Sequence, residues 1–336
     1  MKLNYLITGA SGFIGRHVVS KLLNTGVSPE NIRLAIHSKS NISTIPSASF
    51  ESVLAGDIRN KKFTAKITQG ADIIYHLAAA SGFDAKDYST YREINVQGTE
   101  NILHSLKDYK LKKFVYFSTI AVYGLPAAVG NIRMWNESNP KKYTEIYGRS
   151  KLEAEEVINH AHDFHGLPFT IIRPASVYGP YDFGQLYQLI RAISKHLYIP
   201  NGKGENKMDF VYVKDLVNGA ILAANSKRRK SDYILGSCNP PTLIEIETAI
   251  KKSLPVRLTS RRIPEKIAYV IAALADTISS PVIPRKDYFR SKIRILNSDY
   301  YYDCTKAKRE IGYNPTTTIQ EGIQNTIKWY KQKSIV

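Results

Sequence analysis

Cysteine, acidic residues and long apolar runs are the scarce features of this 336-residue chain. Its two cysteines, Cys238 and Cys304, stand far apart and in no metal-ligand or redox spacing. That excludes a disulfide-stapled scaffold and a zinc module, so no metal is expected. The expectation is a cytoplasmic protein with both thiols reduced, a single disulfide between the two being the open alternative. No stretch approaches the roughly 20 apolar residues of a membrane span. The apolar run from Leu3 to Thr8 is too short for a signal peptide. The nearest span candidate, Ile267 to Ala275, is stopped by Asp276. It reads as a packing helix, with cover for an apolar substrate or contact with a membrane surface as the other readings. Acids number 29 against 47 Lys and Arg, a net charge of +18. A basic surface accounts for this; a polyanionic partner (phosphorylated substrate, anionic membrane or nucleic acid) is the sharper reading. The run Lys227-Arg228-Arg229-Lys230 lies between a helix-like and a strand-like segment and reads as a solvated loop. With no zinc finger, recognition helix or RNA-binding signature, a nucleic-acid partner is not expected.

What is present is a strand–helix rhythm. Leu3–Thr8, Ile32–Ile36, Ser52–Ala55, Ile73–Leu77, Lys113–Ser118 and Phe169–Arg173 read as strands, with helices at Gly12–Thr25, Arg92–Lys107 and Ile146–His165. Such alternation implies parallel strands covered on both faces, that is, an α/β Rossmann-type doubly wound sheet with right-handed crossovers. The second half loses the rhythm: short strands at Phe210–Val213 and Tyr233–Leu235 stand among helices at Leu243–Lys252 and Lys266–Ser279. A last helix is announced by Thr318 and Glu321 in capping-box spacing and runs to about Lys331. There is no internal repeat and no long linker. The expected organisation is a dinucleotide-binding domain over residues 1–175, which also takes in part of 205–240, and a smaller C-terminal α/β substrate-binding region over 176–336.

Where the first strand meets the first helix stands Thr8-Gly9-Ala10-Ser11-Gly12-Phe13-Ile14-Gly15. Three glycines at three-residue spacing let the backbone turn sharply and approach a pyrophosphate at a helix N-terminus. The spacing differs from G-x-G-x-x-G. This segment resembles the TGxxGFIG motif of extended short-chain dehydrogenases/reductases, the NAD-dependent epimerase/dehydratase family. Further segments are similar in order: Gly56-Asp57, His76 to Ala80, Asn95-Val96-Gln97-Gly98-Thr99, Ser118 to Gly124, Tyr147-Gly148-Arg149-Ser150-Lys151, Arg173-Pro174 and Val177 to Pro180. The likeness continues weakly through Phe210–Asp215 to Gly312-Tyr313-Asn314-Pro315. It implies a cofactor site made of Gly9, Ser11, Gly12, Phe13, Ile14, Gly15, Asp57, Ile58, Leu77, Ala78, Ala79, Pro174 and Val177, together with Tyr147 and Lys151. Asp57 would accept from the adenine amino group; an Asp capping the turn after a strand is the plainer reading.

The end of the second strand reads the adenosine ribose, and Ala35-Ile36-His37-Ser38-Lys39-Ser40 contains no acid. A carboxylate there would repel a 2′-phosphate, whereas His37, Ser38 and Lys39 could hold one. NADP(H) is therefore favoured, NAD(H) remaining possible. Tyr147 and Lys151, four apart on a helix, share a face. A tyrosine with its ordinary pKa near 10 is a poor base, and a nearby ammonium favours the phenolate. Tyr147 would then exchange a proton with an alcohol or ketone, and Lys151 would also hold the nicotinamide ribose. Y-x-x-x-K occurs also at Tyr109, Tyr288 and Tyr302, but only Tyr147 follows a strand ending in hydroxyl residues. By the resemblance the hydroxyl that orients the substrate is Thr119, with Ser118 as runner-up, and Asn95 supports the site.

The resemblance implies hydride transfer at a carbinol or ketone carbon of a small molecule, first of all a nucleotide sugar. One departure counts against that substrate: the arginine many such enzymes place before the Asp-Phe pair is here Met208, and Arg261, Arg262, Arg285 or Arg290 would have to substitute. The stretch Tyr300-Tyr301-Tyr302-Asp303 also resembles relatives that act on hydroxysteroids and flavonoid-type ketones, so NADPH-dependent reduction of an apolar ketone or aldehyde is the alternative. A cofactor-sensing regulator is the remote one, since Tyr147 and Lys151 are both present. Family members often pair through two helices, here Arg92–Lys107 and Ile146–His165, and a homodimer is expected.

Overall fold

Tyr5–Thr8 is a four-residue strand, β1, and a glycine-rich turn carries the chain directly into helix α1, Phe13–Asn24. The computed structural model describes residues 3–38, 53–81, 87–106, 110–124, 134–256, 261–279 and 287–336. Strands β2 (Ile32–Ile36) and β3 (Val53–Ala55), helix α2 (Lys61–Thr68) and strand β4 (Ile73–His76) follow. A single turn α3 (Tyr88–Tyr91) runs through a π-helical segment, Arg92–Gln97, into α4 (Gly98–His104). Then come β5 (Lys113–Phe117), β6 (Met134–Trp135), α5 (Ile146–His165), β7 (Phe169–Pro174), β8 (Ser176–Tyr178), α6 (Gln185–Ser194) and β9 (Phe210–Tyr212). The remainder is α7 (Val213–Asn225), β10 (Lys230–Leu235), α8 (Leu243–Ser253), α9 (Glu265–Ser279), α10 (Tyr288–Leu296), β11 (Tyr301–Tyr302), α11 (Thr305–Ile311) and α12 (Ile319–Gln332).

Seven strands form one parallel sheet in the order β10-β7-β5-β4-β1-β2-β3. Strand residues alternate between two cores. Phe114, Tyr116 and Ile171 join Ile102, Ala154 and Ile158 on the face covered by α2, α4 and α5. Val115, Phe117 and Ile172 join Val18, Leu216 and Ala220 on the face covered by α1 and α7. Both faces are buried, as a parallel sheet requires. This is the expected Rossmann-type doubly wound fold.

Two departures from the sequence expectation are instructive. The strand expected at Tyr233–Leu235 is twice as long and forms the edge of the main sheet, pairing with β7 from Lys230↔Phe169 to Leu235↔Pro174. The basic run leading into it is exposed to solvent throughout and is also tethered: Arg228 pairs with Glu310 at 3.2 Å, Lys230 with Asp163 at 3.3 Å, and the Arg229 guanidinium donates to the Gly166 carbonyl. The helix expected over Arg92–Lys107 is π-helical through Gln97, for reasons that belong to the site below. Helix ends follow their signals. Gly166 closes α5 with φ +67°, where a Cβ would be strained. Thr318 accepts from the Glu321 amide at the start of α12.

Candidate active site

The strand order reverses between β1 and β4, and in such sheets the crevice for a ligand opens beyond the carboxyl ends of the strands at that switch point. Gly9 leaves β1 with φ +69°, and a Cβ there would stand 2.8 Å from the Ala78 amide nitrogen at the end of β4. A Cβ on Gly15 would meet the Gly9 carbonyl at 2.2 Å, so only glycine lets α1 press onto the turn. Gly12 is the N-cap of α1 and offers no side chain to its first amides. Those N–H groups and the helix dipole face the crevice between Ser11 and Leu77–Ala79, a cradle that fits a pyrophosphate. Phe13 and Ile14 open the helix itself.

Arg16, which the sequence did not single out, braces this loop. Its guanidinium donates to the Ser11 carbonyl at 2.5 Å and its Nε to Gly12 at 3.1 Å, and it stacks over the Tyr181 ring at 3.9 Å. Its signal was a long cation one turn after Gly12 on the covered side of an amphipathic helix.

Behind the cradle runs a buried polar chain. The Thr8 hydroxyl meets His76 Nδ1 at 2.7 Å, His76 Nε2 meets the Thr99 hydroxyl at 3.0 Å, and Thr99 donates to the Asn95 carbonyl at 2.7 Å. The Thr8 oxygen also accepts from the Leu77 and Ala78 amides. His76 is fully buried, which pushes its pKa down to about 3, with Lys151 adding to the effect. The Asn95-to-Thr99 motif thus acquires a structural meaning. The Asn95 amide grips Ala80 by both backbone groups and donates to the Ser150 hydroxyl at 2.9 Å. Gly98 lets Ile58 pack where a Cβ would come within 2.5 Å of it. Asn101 donates to the Ile58 and Arg59 carbonyls.

Helix α5 brings Lys151 against the end of β5, and its first turn carries Tyr147, whose ring lies 6.0 Å from that of Tyr91. A Cβ on Gly148 would stand 2.4 Å from the Ala121 carbonyl, so the helix start sits directly on the turn that Thr119 opens. Thr119 caps that turn by accepting from the Ala121 amide at 3.1 Å. The Lys151 amine donates to the Phe117 carbonyl at 2.6 Å and lies 4.4 Å from the centre of the Tyr116 ring. Burial lowers its pKa to about 7 against the pull of Glu155. The Ser118 hydroxyl points the other way, donating to Glu155 at 2.6 Å in the core. Glu155 holds Arg173 by two bonds of 2.8 and 2.9 Å, and Arg173 continues to Asp232 at 2.7 Å and the Tyr123 hydroxyl at 2.9 Å. Burial alone would raise the Glu155 pKa, but Arg173, Lys141 and Ser118 hold it low. Arg173-Pro174 is therefore a buried tie between α5 and two strands, and the chain passes from Pro174 into β8 with Val177.

At the adenosine end, Asp57 takes the turn role. Its carboxylate accepts from the Arg59 amide at 2.8 Å and from the Arg59 guanidinium at 2.6 and 2.9 Å, and this pairing lowers its pKa. One lone pair of Oδ1 is left for a further donor. His37 and Ser38 follow β2 directly; Lys39 lies outside the described residues, as do Tyr109 and Arg285. Tyr288 sits on α10; Tyr302 sits on β11, its amide donating to Asp209, whose carboxylate also accepts from the Ser237 amide just past β10.

The glycine turn after β1, the end of β4 and Lys151 of α5 all stand at the carboxyl ends of the parallel strands. Residues 5–236 match the model of the NAD dependent epimerase/dehydratase family. The chain belongs to that family. It is accordingly an enzyme of the oxidoreductase type that uses a pyridine nucleotide. Among curated relatives, the N-acetyl-alpha-D-glucosaminyl-diphospho-ditrans,octacis-undecaprenol 4-epimerase of Escherichia coli O157:H7 is 28% identical over 98% of this chain and 96% of its own. The 3beta-hydroxysteroid-dehydrogenase/decarboxylase isoform 2 of Arabidopsis thaliana is 27% identical over 96% of this chain, which spans 61% of that longer protein. A UDP-glucuronic acid 4-epimerase from Bacillus cereus, solved with NAD, superposes with a TM-score of 0.77 at 23% identity, covering 98% of this chain and 99% of that one. Among the described residues no helix is long and apolar enough to cross a membrane, and no cluster of three or more potential metal ligands occurs.

Proposed function

We propose that the enzyme moves a hydride at a carbinol or ketone carbon of a sugar carried on a diphosphate, with Tyr147 as the acid/base. The observation that carries this reading is the pressing of Gly148 onto the Ala121 carbonyl, which seats the first turn of α5, with Tyr147, on the turn that Thr119 opens. Thr119 accepts from Ala121, leaving its proton to donate to a substrate oxygen and orient it. Tyr147 takes the hydroxyl proton as the carbinol is oxidised and returns it on reduction. Lys151, held by Phe117, carries the positive charge that makes the phenolate accessible, and Asn95 through Ser150 fixes the helix turn between them. The bound nicotinamide supplies the acceptor and donor of the hydride. Gly9, Ser11, Gly12, Phe13, Ile14 and Gly15 would hold its pyrophosphate, Asp57 and Ile58 the adenine, Leu77, Ala78 and Ala79 the central channel, and Pro174 and Val177 the nicotinamide end. Residues 176–336 supply most of the substrate side.

The cofactor proposed is NADP(H), because no acid follows β2 and His37, Ser38 and Lys39 are suited to a 2′-phosphate. The protein is proposed to be a cytoplasmic homodimer, joined through α4 and α5; light scattering at low concentration tests the pairing. A second reading, reduction of an apolar ketone or aldehyde, has an observation in its favour. Met208 is buried in the core, Arg262 is committed to Glu247 and to the Asn201 and Gly202 carbonyls, and Arg290 is committed to Asp276. The experiment is a titration with NADPH and NADH followed by nicotinamide fluorescence, with a Lys39→Glu variant, and then turnover with nucleotide sugars and steroid ketones. Tighter NADPH binding, reversed by the variant, fits the cofactor proposal; tighter NADH binding overturns it. Interconversion of a nucleotide sugar without net redox change, abolished in Tyr147→Phe, fits the first substrate reading. Stoichiometric NADPH consumption with an apolar ketone alone replaces it with the second.

A further inference from the structure

The sequence presents Ile267 to Ala275 as a packing helix, yet α9 packs chiefly on α10, and the larger part of its apolar face is uncovered. Ile267, Val270, Ile271, Leu274 and Ile278 are 50, 59, 48, 61 and 80% exposed. On a helix of 3.6 residues per turn these five lie within an arc of about 100°. The opposite side carries Ala268, Ala272 and Asp276, all buried against α10. Asp276, which stops the apolar run in the sequence, is the pin of this hairpin. Its carboxylate accepts from the Phe289 amide at 2.7 Å and from the Arg290 amide and Nε at 3.3 and 2.9 Å, at the start of α10. With the small and acidic side turned inward, the aliphatic stripe is held outward. A neighbouring segment extends it. Leu197 and Ile199 are 74 and 52% exposed, and the chain just beyond them pairs with Ile263 ahead of α9, through the Ile263 amide to the Pro200 carbonyl and the Gly202 amide to the Ile263 carbonyl.

The surroundings of the stripe are cationic. Among the described residues Lys266 on α9 and Arg294 on α10 are exposed, as are Lys195, His196 and Lys203 beside Leu197 and Ile199. α10 carries Lys292 and Arg294 besides the Asp276-bound Arg290, and has no fully buried residue. We propose that the α9–α10 hairpin docks on the surface of an anionic lipid bilayer, with the α9 stripe entering the acyl boundary and the flanking cations meeting lipid phosphates. A helix with a wide aliphatic face and basic flanks, too short and interrupted to cross, has the composition of an interfacial anchor. A second copy of the chain fits less well, because a two-fold contact would set one cationic hairpin against another. The stripe also lacks the Trp, Tyr and Arg anchors of a protein interface. The proposal does not depend on which substrate the crevice takes.

The test is flotation of the full-length protein with vesicles of phosphatidylcholine alone or with about 30% phosphatidylglycerol, at low and high salt. The variant is Ile271→Glu with Leu274→Glu, both on the solvent side, with an unchanged melting temperature and nicotinamide binding as the folding control. Partition onto the anionic vesicles, weakened by salt and by about tenfold or more in the variant, is the expected result. Failure to float with either vesicle, or equal flotation of the variant, overturns it. So does a dimer in light scattering that the variant dissolves without any vesicle binding, which would assign the stripe to a contact between copies.

Discussion

His76 makes the fold acid-sensitive in a way that can be isolated from every carboxylate. The tautomer follows from its neighbours. Thr99 donates to Asn95, so its oxygen is an acceptor, and His76 Nε2 carries the proton that meets it. The Thr8 oxygen already accepts from the Leu77 and Ala78 amides, so Thr8 donates to Nδ1. A second proton, on Nδ1, would face a hydroxyl with no lone pair to spare. Burial pushes the imidazole pKa from 6.5 to about 3. The unfolded chain therefore binds a proton between those values that the folded chain refuses, so the penalty is absent above the unfolded pKa and grows as pH falls toward the folded one. Each pH unit in that window is worth about 1.4 kcal/mol, so at pH near 5 the imidazole costs the fold about 2 kcal/mol. His17, whose pKa burial lowers to about 4, adds in the same direction. Urea unfolding at pH near 7.5 and near 5 should show the wild type losing about 2 kcal/mol more than a His76→Leu variant over the same interval. The variant should be less stable at neutral pH, since Thr8 and Thr99 lose a partner, and should bind dinucleotide less tightly because Leu77 and Ala78 are no longer fixed. Equal losses of stability in the two proteins, or an imidazole titrating near its ordinary value in the folded protein, would refute the reasoning.

Three further outcomes are expected. Gly148→Ala wedges α5 away from the Thr119 turn; kcat should fall by about a hundredfold or more while dinucleotide affinity changes little, and a comparable loss in both would show that the close approach serves the cradle instead. Glu155→Gln takes the two-point carboxylate from the buried Arg173 guanidinium, leaving it the Asp232 carboxylate alone, and should cost about 3 kcal/mol by chemical denaturation; a cost under about 1 kcal/mol would mean the network is not holding α5 to the sheet. Iodoacetamide should label exposed Cys238 in the folded protein and spare Cys304, whose thiol pKa is raised by contact with Cys238 and by burial; equal rates in peptide mapping would contradict that placement.

The first half of the chain was legible because its signals are local. Glycine spacing after β1, alternating apolar strands and the interval from Tyr147 to Lys151 each report a backbone requirement within a few residues. The limits of α5 were readable to the residue, since its period and its closing glycine agree. What sequence missed depends on partners distant in the chain. β10 reads as a short apolar strand because its first half, Lys230-Ser231-Asp232, is polar. Ser231 bonds Thr170 across the ladder and Asp232 answers Arg173, so those residues are strand only in the presence of β7. The π-helical turn is likewise invisible locally, since Asn95 leaves no pattern until Ala80 and Ser150 stand on either side of it.

The same distinction explains why substrate identity was hard to read. An arginine is a candidate for a diphosphate only if nothing in the fold already holds it, and that depends on acids elsewhere in the chain. Arg262 looks available in the sequence, in a stretch with no acid before Glu265. In the fold its guanidinium lies on Glu247 at 2.5 Å and on the carbonyls of Asn201 and Gly202. Releasing it would leave Glu247 buried beside the Tyr198 hydroxyl without its cation, a cost of several kcal/mol that a surface contact with phosphate would not offset. Arg290 is bound in the same way to Asp276, where it holds the hairpin rather than a ligand. A diphosphate-linked substrate must therefore find its charge partners among cations the fold leaves to solvent, such as Lys203 beside the Pro200–Ile263 pairing. Charge reversal at Lys203 should raise KM for such a substrate and leave that for an apolar ketone unchanged. The two substrate readings thus part at this position, outside Tyr147 and Lys151.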